Sequence, residues 1–106
     1  MKDELKPKHY EIVRSKYPAY IEAVETLGKA VRDAGPLDEK TVLLVQLGAA
    51  AANGSEGSVL SHARRAMAAG ASLDEIYHAL MGLTSTIGFP TVAAAMSWVR
   101  KNLDND

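Results

Sequence analysis

Apolar residues along this chain recur at steps of three and four, the spacing of helices, and alternating β-branched runs are absent. A short first helix is expected over about His9 to Lys16, beginning after Pro7 and closed before Pro18. Pro18 suits the first turn of a second helix, where Tyr20, Val24, Leu27, Val31 and Ala34 draw one apolar stripe. Gly35-Pro36 stops that helix, and Asp38 is placed to cap a third. The third segment, with Val42, Leu43, Leu44, Val45, Leu47 and Ala49 to Ala52, is apolar on nearly every side, as a central helix must be. Asn53-Gly54 ends it. A fourth helix is expected from about Glu56 to Ala69, before Gly70. Ser72-Leu73-Asp74-Glu75 is a capping box that starts a fifth, expected to fade near Gly88. Pro90 opens the last, with Val92, Met96 and Val99 on one face, and the polar tail Asn102 to Asp106 is expected to fray. The pattern predicts one all-α domain of five or six helices joined by short loops, without linker, repeat or low-complexity segment.

Composition changes this picture in one respect. The chain has 106 residues, 47% of them hydrophobic, enough for one compact domain. Much of the apolar fraction is alanine, however, and each buried alanine contributes less transfer free energy than a leucine. A thin core of this kind is offset by close packing of alanine-rich helices between chains, so a homo-oligomer is expected. The 12 basic and 13 acidic residues are dispersed, leaving no electrostatic footprint for nucleic acid or an anionic membrane surface. There is no cysteine, which removes disulfides, thiolate metal ligation and thiol catalysis. Met1-Lys2-Asp3-Glu4-Leu5 is charged rather than apolar, and no run approaches a membrane span, so a cytoplasmic location is the expectation. The letters KDEL at positions 2 to 5 are incidental, because that signal is read at a C-terminus.

Three histidines are the natural candidates for proton transfer near neutral pH. His62 stands out. Ser55 and Ser58 precede it by seven and four residues, which sets two hydroxyls and an imidazole on one helical face. Such a strip suits the wall of a pocket; a histidine flanked by Ser61 and Arg64 on a half-exposed helix also suits an ordinary solvated surface. No acid completes a serine triad, and the strand-to-helix turn of a nucleophile elbow is absent. Arg64 is a candidate to hold a carboxylate substrate bidentately. Glu75 and His78 have the Glu-x-x-His spacing of di-iron bundles, but such a site needs a second copy and two more carboxylates, and Glu75 already serves the capping box. No metal site is expected. His9 lies near a polar terminus and carries no signal. Gly54 to Ser58 resembles a phosphate-cradling loop but lacks its lysine, and Glu56 would repel the anion. Met67, Met81 and Met96, with Trp98, read as core or subunit-contact residues.

Several of these pieces together resemble a known family. Leu37 to Thr41, Ala50 to Gly54, His62-Ala63-Arg64, Ala69 to Ser72 with Asp74-Glu75-Ile76, and Gly88-Phe89-Pro90 occur in the order and spacing of the carboxymuconolactone decarboxylase family, which includes the alkylhydroperoxidase-D-like proteins. The resemblance spans about two-thirds of the chain. It implies an alkylhydroperoxidase-D-like helical bundle, assembled as a trimer or a hexamer.

The resemblance also separates two chemistries. The family's peroxidase branch carries Cys-x-x-Cys seven and four residues before a histidine, with a glutamate twelve before the first cysteine and an additional histidine just before the second. Set on His62, these positions hold Ser55, Ser58, Leu43 and Gly57. A hydroxyl can neither form a disulfide nor act as the soft, low-pKa nucleophile that peroxide reduction needs. The decarboxylase branch keeps the histidine, in many members with an arginine two positions on, here His62 and Arg64. That branch implies a cofactor-free lyase acting on a small anionic lactone or keto acid, with His62 as proton donor and Arg64, Ser58 and Ser55 as substrate-binding residues. A non-catalytic oligomeric binding or scaffold protein of the same fold is the alternative.

Overall fold

The computed structural model describes residues 8–104. The chain divides into two compact units, one ending at Asp38 and the other beginning at Glu39. Pro7, the charged opening and the last two tail positions lie outside the described residues.

The first unit is a pair of helices, α1 (Lys8–Lys16) and α2 (Pro18–Asp33). Pro18 occupies the first turn of α2, where its missing N–H costs nothing. Polar contacts join the two helices: Glu25 accepts hydrogen bonds from Tyr10 and Arg14, whose guanidinium also lies over the Tyr10 ring. Apolar packing is sparse. α1 has no buried residue and α2 has Ile21 alone. The stripe formed by Tyr20, Val24, Leu27 and Val31 is 45–64% exposed.

The second unit comprises α3 (Glu39–Ala52), α4 (Glu56–Ala68), α5 (Leu73–Met81), the single turn α6 (Thr84–Ile87) and α7 (Phe89–Leu103). Its core draws Leu43, Leu47, Ala50 and Ala51 from α3, Val59, Ala63 and Ala66 from α4, Ile76 and Leu80 from α5, and Val92, Ala95 and Val99 from α7. With Ala71 this makes thirteen buried residues, six of them alanine, so the helices are held by close backbone approach as much as by side-chain bulk. α3 and α4 form a hairpin, and Gly54 turns the chain between them at a φ of 68° that a Cβ would oppose.

Two local expectations are corrected. The fifth helix does not run on to Gly88; it stops at Met81, and α6 follows as a separate turn. Gly82 caps α5 in helical geometry with its N–H on the His78 carbonyl, and the Thr84 hydroxyl takes up the Met81 carbonyl at 2.7 Å. A side chain thereby satisfies an acceptor that the next turn of helix would have used. The last helix also reaches into the segment expected to fray. Asn102 and Leu103 belong to α7, where the Asn102 amide donates to the Trp98 carbonyl at 2.8 Å.

The capping box forms as the sequence predicts. The Glu75 N–H donates to Ser72 Oγ, and the Ser72 N–H donates to the Glu75 carboxylate, both at 3.0 Å. Among the described residues no helix is long and apolar enough to cross a membrane.

Candidate functional site

The candidate residues lie along the first half of α4. Ser55 adopts extended backbone geometry and caps the helix, its Oγ accepting from the Ser58 N–H at 3.3 Å. One turn later the His62 ring folds back on Ser58. Its Nδ1 lies 2.9 Å from the Ser58 carbonyl oxygen and 3.3 Å from Ser58 Oγ. A carbonyl oxygen can only accept, so Nδ1 carries the ring proton. Nε2 is left as the ring nitrogen that Ser58 does not engage. His62 and Ser58 are both half-buried, so the pair is partly shielded from water.

The other sequence-predicted residues are placed differently. Ser55 is on the His62 face, but its hydroxyl is occupied by the cap. Arg64 follows His62 by two positions, about 200° around a helix, so the two side chains flank opposite sides of the buried face of α4. Arg64 Nε is buried without a hydrogen-bond partner among the described residues. The structure therefore brings Ser58 and His62 together and leaves Arg64 away from them within one chain.

Sequence reasoning missed Gln46. It stands eight residues before Gly54 and His62 eight after, so the α3–α4 hairpin sets them at the same level. On α3, Lys40 reaches α5, its Nζ 3.2 Å from Glu75 Oε2, and Gly48 faces the Leu83 side chain at the start of α6. Gln46, two positions from Gly48, lies about 200° from it around α3. Its Oε1 is buried and has no hydrogen-bond partner among the described residues. The available signal was a lone amide within the apolar run Val42 to Ala52.

Glu75 is committed elsewhere. The Ser72 N–H and, secondarily, the Lys40 ammonium hold its carboxyl below the usual range for glutamate. Among the described residues no three His, Cys, Asp or Glu side chains gather as a metal ion would need.

The family model of the carboxymuconolactone decarboxylase family matches residues 18–101, covering the α3–α4 hairpin with His62. The chain belongs to that family. The chain is also similar to an uncharacterized protein of Methanocaldococcus jannaschii, 33% identical over 86 residues, 81% of this chain and 80% of the relative. Family membership and the all-helical architecture agree with the fold expected from the sequence.

Proposed function

We propose that the protein is a cofactor-free lyase that decarboxylates a small anionic lactone or keto acid, with His62 as the proton donor. The observation that supports this reading is the 2.9 Å contact of His62 Nδ1 with the Ser58 carbonyl, which leaves Nε2 as the ring nitrogen that could face a substrate. In the proposed step the bond between the carboxylate carbon and the substrate breaks and CO₂ leaves. The electron pair moves into an adjacent carbonyl to give an enolate, and the proton on Nε2 of the charged ring is delivered to carbon. Ser58, with its hydroxyl proton uncommitted to the ring, is positioned to donate to a substrate oxygen. Since Arg64 faces away within one chain, its carboxylate-binding role in this reading is played toward a site shared between copies. The absence of cysteine removes disulfide-based peroxidase chemistry.

The exposed α2 stripe supports self-association and also suits the second reading, a non-catalytic oligomeric scaffold. Assaying a panel of small carboxylated lactones and β-keto acids with the wild type and His62→Gln separates the two. The lyase reading expects turnover by the wild type, lost in His62→Gln with the oligomer intact. Turnover unchanged by the substitution removes His62 from the mechanism, and no turnover across the panel favours the scaffold.

A further inference from the structure

α7 carries a second stripe apart from its core face. Phe89, Ala93, Met96 and Arg100 succeed one another at steps of four, three and four, so they share one side of the helix, and Asp104 follows at its C-terminal cap. With Tyr77 of α5 they border an open cavity of about 430 Å³, within the ~300–1,000 Å³ usual for small-molecule sites. The lining is sorted along the axis. Phe89, Ala93 and Met96 make the N-terminal half apolar, and Phe89 is 67% exposed. Arg100 and Asp104 bring charge to the other half.

These two charges are not equivalent. Asp104 is the natural partner of Arg100, one turn away, yet its Oδ2 accepts the Tyr77 hydroxyl at 2.9 Å. Arg100 makes no hydrogen bond or ion pair among the described residues. An unpaired guanidinium beside aromatic and thioether surface is complementary to a planar anion. Its fork matches a carboxylate, and Phe89, Tyr77 and Met96 match a ring.

We propose that this cavity binds a small aromatic monocarboxylate, its ring against Phe89 and Met96 and its carboxylate on Arg100. Ser55, Ser58 and His62 do not line the cavity, so the site is separate from the proposed reaction and stands without it. The wall is built by α5 and α7, with Tyr77 and Asp104 tying one to the end of the other.

The test is an NMR titration of the full chain with benzoate, following the Met96 methyl and the amides of α7. Benzamide serves as the neutral isostere and octanoate as the aliphatic acid. Benzoate is expected to shift these resonances saturably, with at least tenfold weaker binding for benzamide, for octanoate and for benzoate to Arg100→Gln. Arg100 is exposed, so that variant should keep the fold, which its amide spectrum checks. No saturable shift with benzoate overturns the proposal. Binding of benzamide or octanoate equal to benzoate overturns the assignment of ligand class. If benzoate fails to bind and Phe89→Ala lowers the oligomeric mass, the groove is an interface between copies and the small-molecule site is refuted.

Discussion

Lys40 and Glu75 join the first turn of α3 to the first turn of α5, their charged atoms 3.2 Å apart across thirty-five positions of sequence. Glu75 thus serves two structures, closing the capping box on Ser72 and tethering α5 to α3. Its carboxyl is held low in the folded chain, first by the Ser72 N–H and then by Lys40. A carboxyl depressed on folding contributes stability that is fully present above the unfolded glutamate range and is lost as pH falls through the folded value. Urea unfolding at a series of pH values should show the wild type losing its advantage over Glu75→Gln in that acidic window. A constant difference between the two down to the most acidic points would refute the linkage. Ser72→Ala should cost about 1 kcal/mol at neutral pH through loss of the cap.

The His62 tautomer is set by backbone rather than by the Ser58 hydroxyl. Nitrogen NMR at a pH where the ring is neutral should find the proton on Nδ1. It should stay there in Ser58→Ala, with stability changed by no more than about 0.5 kcal/mol. A proton on Nε2 in the wild type would contradict the carbonyl contact.

Gln46 makes a different kind of test. A buried amide oxygen without a partner costs about 1–3 kcal/mol, so Gln46→Leu should raise the denaturation midpoint by a gain of that order. If the amide is reserved for a ligand at the His62 level, the gain should come with lost turnover, the usual exchange between stability and function. A destabilised Gln46→Leu protein would mean that the amide has a partner in the assembled protein.

Self-association should depend on α2. Light scattering at micromolar concentration is expected to give the mass of an oligomer, a trimer or a hexamer by family resemblance. Val24→Glu with Leu27→Glu should lower that mass by placing two charges in the apolar stripe. A stable wild-type monomer would remove the oligomer altogether.

Much of the fold was legible because it is local. Ser72 and Glu75 announce their box, Asn53-Gly54 its turn, and Pro18 its helix, each through neighbours a few residues away. The break after Met81 was not legible, since Gly82 is compatible with a continuing helix and only the Thr84 hydroxyl on the Met81 carbonyl decides the matter. At the candidate site, spacing gave the shared face of Ser55, Ser58 and His62, and it also held the information that Arg64 lies elsewhere. Which ring nitrogen is free, and whether the Gln46 oxygen meets a donor, depend on side-chain torsions and on the packing of α3 against α4. Tyr77 and Asp104, twenty-seven positions apart, carry no common signal in the sequence.

The cap at Ser55 also bears on the serine that stands where the resemblance to the peroxidase branch would put a cysteine. The position that holds a thiol in the peroxidase branch here supplies the acceptor for the Ser58 N–H, and sulfur is a weak acceptor. A cysteine at 55 would be a poor cap as the neutral thiol, and the helix end would favour its ionisation to the thiolate. Hydroxyl capping of α4 and thiol chemistry are therefore two different uses of the side chain at this position.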